Sequence, residues 1–337
     1  MERPHKMTKK NILLLCGGGS SEHEVSLVSA NFIQQQLELN NCFNVIRVEM
    51  TKEEWRLDCG TKTELDIAHS MLKGDDHEFR IDYIVPCLHG YPGETGDVQS
   101  MFELAKIPYL GCGPEASTNS FNKITSKLWY DALNIPNTPY VFLSDNNENA
   151  YQKSIDAFNK WGTLFVKAAR QGSSVGCYKV TKESELKDAI DKAFSFSEQV
   201  LIEKAVKPRE LELAAFEYQG ELIITKPGEI MAPEHGFYTY EEKYGADSHS
   251  ITEVEAKDLT AQQVEEIRAH ARKVFEHMGL KDLSRIDFFL TEDNEIYLNE
   301  VNTFPGMTPI SMFPKMVEHY GISFTDFLSD AISNSLR

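Results

Sequence analysis

The stretch ILLLCGGGSSEHEVSL, residues 12–27, decides the class of fold. Its apolar run at 12–16 has the length of a buried strand, and three glycines follow it directly. A helical pattern at 28–39 comes next, and a second strand is predicted at 45–50. Strands that alternate with helices in this way favour an α/β fold with a parallel sheet.

The glycine loop of this stretch does not match a dinucleotide-binding fingerprint. That fingerprint needs a glycine at position 22, where Glu22 stands. A carboxylate at the start of a helix competes with a bound phosphate. Glu22 therefore either caps the helix or receives a cation, such as the ammonium group of a substrate. The sequence also lacks the GxxxxGK[ST] motif of a P-loop, so neither common nucleotide loop is present.

The order of the predicted elements divides the chain into three domains. Residues 1–120 form an N-terminal α/β domain, residues 121–206 form a small central α/β unit, and residues 207–337 form the last. The elements predicted after residue 50 are strands at 81–87, near Val141, and at 164–167, 177–180 and 200–204, helices at 122–133 and 184–194, hairpins at 210–225 and 286–301, and a helix with apolar side chains at helical spacing between Val264 and Met278.

Composition and charge exclude several classes of partner. Of the 337 residues, 41% are apolar and 26% are charged, and the net charge is −18. Such a charge argues against nucleic-acid binding, which needs a basic surface. No apolar run reaches the roughly 18–20 residues of a membrane span, and the N-terminus does not read as a signal peptide. A cytoplasmic protein is expected, with no nucleic-acid or membrane partner.

Two carboxylates and an amide converge in the last predicted hairpin. Glu300 and Asn302 are two residues apart on one strand, so their side chains point to the same face. Asp287 lies on the preceding strand, close enough to be opposite. Magnesium prefers such oxygen ligands and completes its shell with phosphates and water. The alternative is a solvated acidic strand pair.

Two further segments are candidates for binding phosphate. The loop at 167–176 is rich in glycine and serine, and its small residues let backbone amides approach a phosphate beside Lys167. A plain hairpin is the alternative. The polar segment at 234–250 contains Tyr244 and Lys243; it is either a surface loop or a lid that excludes water from a reacting phosphate.

Taken together, these segments resemble the D-alanine–D-alanine ligases of the ATP-grasp superfamily, from about residue 11 to about residue 331. The resemblance implies an N-terminal parallel α/β domain followed by two α+β subdomains that hold ATP between them. The motifs that carry it are GGGSSEHEVSL at 17–27, LHGxxGExG at 88–96, NKITSK at 122–127, GSSVG at 172–176, FYxYExKY at 237–244, SRID at 284–287 and NEVNTxPGMT at 299–308.

The resemblance also implies a reaction and a site for the first substrate. Two D-alanines would be joined through a D-alanyl phosphate, with release of ADP and phosphate, for peptidoglycan synthesis. Glu22, Ser173 and Tyr244 match an interacting trio that would orient the first D-alanine and close the lid, with Glu22 receiving its ammonium. His89 would lie near the reacting carboxyl group.

The second step and the metal ions have their own matching residues. Arg285 and the backbone amide of Gly306 would stabilise the oxyanion. Ser311 and Met312 would bind the carboxylate of the second D-alanine. Two Mg²⁺, with Mn²⁺ as an alternative, would be held by Asp287, Glu300 and Asn302.

The ATP contacts are likewise implied position by position. The lysines would bind phosphates, Lys243 reaching the γ-phosphate from the lid. Glu203 and Lys204 match the hinge beside the adenine, and Glu210 matches the carboxylate that holds the ribose. The whole matching set is Lys123, Lys167, Ser173, Ser174, Glu203, Lys204, Val206, Glu210 and Lys243. A homodimer is also implied.

Some positions depart from the family pattern. Ala168 stands where proline is common, and Phe304 and Pro309 also differ, which leaves fine specificity open. Tyr244 favours a dipeptide over a depsipeptide product. The alternatives are an ATP-grasp ligase for another acid and amine, or an ATP-binding protein without activity. The intact set Lys123, Arg285, Glu300 and Asn302 argues against the latter.

Overall fold

The structure is a computed structural model that describes residues 9–231 and 251–337. Its described strands form three sheets that follow one another along the chain. No helix in these two ranges is long and apolar enough to cross a membrane. The predicted boundaries at 120 and 206 fall between consecutive sheets, and the division into domains stays a prediction.

The first sheet has a parallel core, as predicted from the opening stretch. β1 pairs in parallel with β2 on one side and with β7 on the other. The order is β6-β5-β4-β3-β2-β1-β7. The strands are β1 (Lys10–Gly17), β2 (Phe43–Met50), β3 (Trp55–Leu57), β4 (Lys62–Asp66), β5 (Met71–Gly74), β6 (His77–Arg80) and β7 (Tyr83–Cys87).

Four strands of this sheet are antiparallel and were not predicted. β3 to β6 pair with their neighbours in sequence. Short turns join them, which antiparallel strands allow and parallel strands do not. The segment is polar, so the alternation of apolar and polar side chains that indicates a strand is weak there. The strand predicted at 81–87 begins two residues later, at Tyr83.

The helices of the N-terminal half are α1 (His23–Glu38), α2 (Asp97–Ala105), α3 (Pro114–Phe121) and α4 (Lys123–Ala132). α1 begins five residues before the predicted start at Val28. It buries residues at helical spacing, among them Val25, Ile33 and Leu37, against the first sheet. Asn122 caps α4, because its side chain accepts hydrogen bonds from two backbone amides of the first turn.

The second sheet is antiparallel, in the order β10-β9-β11-β8. Its strands are β8 (Tyr140–Leu143), β9 (Leu164–Ala168), β10 (Cys177–Val180) and β11 (Val200–Lys204), and its helices are α5 (Glu148–Trp161) and α6 (Leu186–Phe194). The sequence reading missed α5. Its side chains Tyr151, Ile155, Phe158 and Trp161 stand at helical spacing and pack half-buried against the core, so the sequence did carry a helical pattern there.

The third sheet has the order β15-β14-β12-β16-β17, with β13 paired to β12. The helix predicted between Val264 and Met278 is present as α7. The elements are β12 (Pro208–Tyr218), β13 (Glu221–Ile224), β14 (Gly228–Met231), β15 (Ile251–Glu253), α7 (Ala261–His277), β16 (Leu283–Thr291), β17 (Ile296–Asn302), α8 (Met312–Tyr320) and α9 (Phe324–Ser335).

The last two helices pack against the first sheet and its helix α1. The rings of Phe32 and Phe324 stack with centroids 5.4 Å apart, and Thr325 donates a hydrogen bond of 2.7 Å to Gln36. Both ends of the chain thus share one hydrophobic core. This packing brings the loop after β17 against the loops that follow β1 and β7.

Candidate functional site

A cleft of about 1770 Å³ lies where the three sheets meet. Its walls come from segments far apart in the sequence. The predicted site residues that line it are Glu22, His89, Lys123, Lys167, Ser173, Ser174, Glu203, Lys204, Val206, Glu210, Arg285, Asp287, Glu300, Asn302, Gly306, Ser311 and Met312. Lys243 and Tyr244, in the segment predicted as a lid, lie outside the described residues.

Glu22 joins two of the loops that line the cleft. It stands at the N-terminus of α1 but makes no side-chain hydrogen bond that caps the helix. Its Oε1 instead accepts a 2.6 Å hydrogen bond from the hydroxyl of Ser173, and its side chain is buried. The capping alternative is therefore wrong for the side chain, which points across to the loop at 167–176.

Glycines make room for the Glu22 carboxylate. A Cβ added to Gly90, whose φ is +66°, would lie 2.4 Å from Oε2 of Glu22. One added to Gly172 would lie 3.2 Å from the same oxygen. A larger residue at position 90 would be strained by its backbone conformation and would collide with the carboxylate. Two loops can thus approach Glu22 closely only because they carry glycine there.

His89 is buried in the same wall and has a partner for each ring nitrogen. Its Nδ1 lies 3.3 Å from the carbonyl oxygen of Phe304, and its Nε2 lies 2.8 Å from the hydroxyl of Ser29. A carbonyl only accepts, so Nδ1 carries the proton and Nε2 accepts from Ser29. Burial lowers the pKa of His89, although the charge of Glu22 opposes the shift. The imidazole is therefore neutral near pH 7.

Glu94 is a residue of this wall to which no role was assigned from the sequence. Its two carboxyl oxygens accept hydrogen bonds from the backbone amides of Gly90, at 2.8 Å, and Phe304, at 3.3 Å. Burial raises its pKa to about 8, with a further contribution from the charge of Glu22. Glu94 stands inside the LHGxxGExG motif, which was the signal available in the sequence. It ties the loop after β7 to the loop after β17.

Arg285 and Asp287 form a bidentate ion pair on β16. The Nε and Nη2 atoms of Arg285 each lie 2.8 Å from an oxygen of Asp287, and Nε lies 3.3 Å from Glu212. Burial opposes the charge of Arg285, but the two carboxylates raise its pKa well above the ordinary value. Glu212 was not singled out from the sequence. The guanidinium is thus fixed in place by the sheet itself.

The predicted metal ligands share one face of the β16–β17 hairpin. Asp287 is the direct partner of Glu300, and Arg285 is the partner of Asn302. The amide nitrogen of Asn302 donates a 3.0 Å hydrogen bond to Oδ2 of Asp287, which turns the amide oxygen away from that carboxylate.

These oxygens fit a hard divalent cation that also binds phosphate. Within 9–231 and 251–337, no group of three or more His, Cys, Asp or Glu side chains is arranged to hold a metal ion. The predicted set contains two such side chains, Asp287 and Glu300, because its third oxygen ligand is the amide of Asn302. Asp287, Glu300 and Asn302 all line the cleft.

The lysines of the cleft are held by oxygen partners. Lys123 donates a 2.5 Å hydrogen bond to the carbonyl of Gln171, in the glycine-rich loop. Lys167 lies 2.5 Å from Oε2 of Glu203. The opposite oxygen of Glu203 contacts Lys127, at 2.9 Å, and the hydroxyl of Thr138. Lys127 is a second residue that the sequence reading did not assign to the site, although it ends the NKITSK motif.

Ser311 and Met312 begin α8 beside Gly306. The Ser311 hydroxyl lies 2.7 Å from that of Thr308 and accepts a 3.1 Å hydrogen bond from the Thr308 amide. Met312 is buried and its Cε lies 2.5 Å from where a Cβ on Gly228 would be. The Met312 side chain therefore belongs to the core, and only its backbone is available at the helix N-terminus.

The chain matches two family models over most of its length. The model described as "D-ala D-ala ligase N-terminus" matches residues 11–112, and "D-ala D-ala ligase C-terminus" matches residues 129–333. A D-alanine--D-alanine ligase of Vibrio atlanticus is 67% identical over 330 residues, 98% of this chain and 100% of that protein. One of Vibrio cholerae is 64% identical over 330 residues, 98% of this chain and 99% of that protein.

Solved structures give the same picture. The D-alanyl-alanine synthetase A of Vibrio cholerae superimposes with a TM-score of 0.95 at 64% identity, covering 98% of this chain and 99% of that one. The VanG D-Ala:D-Ser ligase of Enterococcus faecalis superimposes with a TM-score of 0.86 at 31% identity, covering 97% and 99%. One fold is therefore shared by proteins whose titles name different second substrates.

Proposed function

The chain belongs to the D-alanine–D-alanine ligase family, and from this premise we propose how its cleft carries out the reaction. The protein is an ATP-dependent ligase that joins two D-alanines into D-alanyl-D-alanine for cell-wall precursor synthesis. The observation that carries the assignment of residues is that one cleft collects every predicted site residue within the described ranges.

The first D-alanine binds between the loops joined by Glu22 and Ser173. The Glu22 carboxylate receives the substrate ammonium, and its hydrogen bond to Ser173 fixes the carboxylate in the required direction. His89, neutral and with both ring nitrogens engaged, shapes the wall beside the substrate carboxyl group. Tyr244 completes the pocket from the segment predicted as a lid.

ATP binds between the second and third sheets. Lys123 and Lys167 contact the phosphates, beside the small residues Ser173 and Ser174 of the glycine-rich loop. Lys243 reaches the γ-phosphate from the lid. This arrangement places positive charge around the group that is transferred, which is the main requirement of phosphoryl transfer.

The adenosine half of ATP lies along the end of β11. Lys204 and Val206 line that part of the cleft, and Glu210 faces it from β12 for the ribose hydroxyls. The Glu203 side chain is turned toward Lys127 and Lys167, so its contact with adenine is made through the backbone.

Two divalent cations, Mg²⁺ or Mn²⁺, are held by Asp287, Glu300 and Asn302. Such ions neutralise charge that develops on the phosphate oxygens. The ion pair between Arg285 and Asp287 keeps the guanidinium next to this site. The phosphate and the oxyanion are therefore bound side by side.

The first step activates a carboxylate. An oxygen of the first D-alanine carboxylate attacks the γ-phosphorus, the bond from that phosphorus to the β–γ bridging oxygen breaks, and ADP leaves. The product is D-alanyl phosphate. The buried loops around Glu22 and His89 exclude water, which would otherwise hydrolyse this intermediate.

The second step forms the peptide bond. The free amine of the second D-alanine attacks the acyl carbon, and the resulting oxyanion is stabilised by Arg285 and the Gly306 amide. The carbon–oxygen bond to phosphate then breaks, phosphate leaves and the amine nitrogen loses a proton. Arg285 presents Nη1, which has no hydrogen bond among the described residues, to that oxygen. Ser311 and Met312 bind the second carboxylate at the start of α8.

A homodimer in the cytoplasm is part of the proposal. It rests on the family resemblance and on no interface described here. Light scattering coupled to gel filtration tests it, with a mass of twice 38.3 kDa expected.

Positional isotope exchange tests the acyl-phosphate mechanism. ATP labelled with ¹⁸O at the β–γ bridge is incubated with the enzyme and D-alanine. We expect the label to scramble into non-bridging positions of the β-phosphate only when D-alanine is present. Scrambling without D-alanine would contradict this first step. So would dipeptide formation without any scrambling, measured under conditions in which the second step is slow, because a reversible first step must then exchange the label.

A further inference from the structure

Lys127 makes several contacts in the wall of the cleft, but none of the roles above is assigned to it. It lies on α4 and its side chain is 3% exposed. Its Nζ lies 2.9 Å from Oε1 of Glu203, 2.9 Å from the carbonyl of Thr138 and 2.9 Å from the amide oxygen of Asn137. The Thr138 hydroxyl is a fourth acceptor at 3.1 Å, so the three hydrogens of the ammonium are all engaged.

Glu203 lies between two lysines. Its Oε1 contacts Lys127 and accepts from the Thr138 hydroxyl, while its Oε2 contacts Lys167. Burial alone would raise the pKa of Glu203, but the two lysines hold it well below the ordinary value. The carboxylate is therefore ionised and held in one orientation.

Burial separates the two lysines. The side chains of Lys127 and Glu203 are 3% and 4% exposed, whereas that of Lys167 is 17% exposed. All three side chains line the cleft, and Lys167 is the most exposed of them. Burial lowers the pKa of Lys127, opposed by the adjacent Glu203.

The charges of Lys127, Glu203 and Lys167 together determine the net charge that this part of the cleft offers to a phosphate. With Lys127 charged, the cluster carries one net positive charge, and its most exposed member is Lys167. Without Lys127, Glu203 and Lys167 would form a neutral pair, and a phosphate would meet a lysine whose charge is already compensated. Oε1 of the buried carboxylate would also lose its cationic partner and keep the neutral Thr138 hydroxyl.

We propose that Lys127 is a positioning residue for ATP: it neutralises and orients the Glu203 carboxylate, so that the charge of Lys167 remains available to the nucleotide phosphates. The inference rests on the proposed function, because it takes Lys167 as a phosphate contact. It adds a residue whose effect on phosphate is transmitted through Glu203.

A purely structural role for Lys127 makes a different prediction. If the lysine only ties α4 to β11, its loss lowers stability and affects every ligand of the cleft alike. If it sets the charge at Lys167, its loss weakens ligands that carry phosphate and spares those that do not.

The experiment measures the affinity of ADP and of adenosine by calorimetry, in the presence of magnesium, for Lys127→Met. Kinetic constants for ATP and D-alanine are measured on the same variant. We expect ADP affinity to fall and the KM for ATP to rise by about tenfold, with adenosine affinity within about twofold of the parent protein. The KM for D-alanine is expected to change much less.

A double variant restores the charge. Lys127→Met combined with Glu203→Gln again leaves Lys167 as one net positive charge, and we expect its ADP affinity to return to within about threefold of the parent protein. Lys153→Met is the matched control, because this exposed lysine of α5 lies on the same subdomain and contacts the carbonyl and the ring of Phe142. Its ADP affinity is expected to be unchanged.

Equal losses for ADP and adenosine, no loss for either, or a double variant weaker than Lys127→Met would overturn the inference. If Lys127→Met does not fold, the double variant alone decides, since it leaves no unpaired buried charge. Lys167→Met separates this result from the proposed function. If Lys167→Met weakens ADP binding and Lys127→Met does not, the inference about Lys127 is wrong and the proposed phosphate site stands. If neither variant weakens ADP binding, the proposed phosphate site itself is wrong.

Discussion

The hydroxyl of Ser173 donates a 2.6 Å hydrogen bond to Oε1 of Glu22, across 151 residues of sequence. This bond joins the glycine loop of the first sheet to the glycine-rich loop of the second. Sequence patterns placed both residues in candidate loops, and the family resemblance implied that they interact. The proposed pocket for the first D-alanine is therefore built from loops of two different sheets.

Removing either partner of this bond should weaken the first D-alanine site. Ser173→Ala leaves the Glu22 carboxylate without its fixed orientation, and we expect kcat/KM for D-alanine to fall by about tenfold or more. Glu22→Gln, which removes the charge that receives the ammonium, should be more severe. A double-mutant cycle measures the coupling, and strictly additive losses would contradict a shared role.

Glu300→Gln should abolish turnover while the fold stays intact. The change keeps the shape of the side chain and removes one of the two carboxylates proposed to hold the metal ions. ADP release and circular dichroism provide the measurements. Glu292→Gln, an exposed change in the adjoining turn, is the control and should retain activity. ADP release by Glu300→Gln at the rate of the parent protein would sink the metal assignment.

Tyr244→Phe should weaken selection of an amine as the second substrate at neutral pH. Tyr244 lies outside the described residues, so this prediction rests on the family resemblance. The measurement is the ratio of D-lactate to D-alanine incorporated as the second substrate when D-alanine is the first. The ratio is expected to rise, and an unchanged ratio would show that Tyr244 does not set this preference.

Glu94 should make stability depend on pH. Its pKa is raised from 4.5 to about 8, so between these values the folded chain keeps a proton that the unfolded chain has released. The free energy of unfolding contributed by Glu94 therefore falls as pH rises from about 4.5 to 8 and is level above that range. Glu22 and Arg285 are the charged groups that face it.

Glu94→Gln cannot ionise and should flatten this part of the profile. Urea unfolding at several pH values gives the slope, which is the informative quantity because glutamine also loses one of the two backbone hydrogen bonds. Glu115→Gln, at an exposed position of α3, should leave the slope unchanged. Parallel profiles for Glu94→Gln and the parent protein would show that Glu94 does not carry the effect.

The sequence predicted the elements whose pattern is strong. The parallel core around β1 and the apolar face of α7 followed from period and spacing alone. The antiparallel strands β3 to β6 did not, because few of their side chains are buried and tertiary packing decides them. Helix α5 was missed although Tyr151, Ile155 and Phe158 stand at helical spacing. Predicted boundaries were displaced by up to five residues, as at the start of α1.

The site was predictable by residue type and motif, but its partnerships were not. Asp287 and Glu300 could be placed opposite each other, since a hairpin fixes that pairing. Lys127 and Glu94 received no role from the sequence, because their importance comes from contacts with Glu203 and with Phe304 that are distant in sequence. Such contacts appear only once three sheets have been brought together.

The most direct measurement of the central claim is ADP release with the dipeptide product identified, using D-alanine, L-alanine, D-serine and D-lactate alone and in pairs. D-alanine alone is predicted to support release of one ADP for each D-alanyl-D-alanine formed, and L-alanine alone is predicted to support neither. Higher activity with another pair, or ADP release from D-alanine without dipeptide, would contradict the claim that this cleft joins two D-alanines.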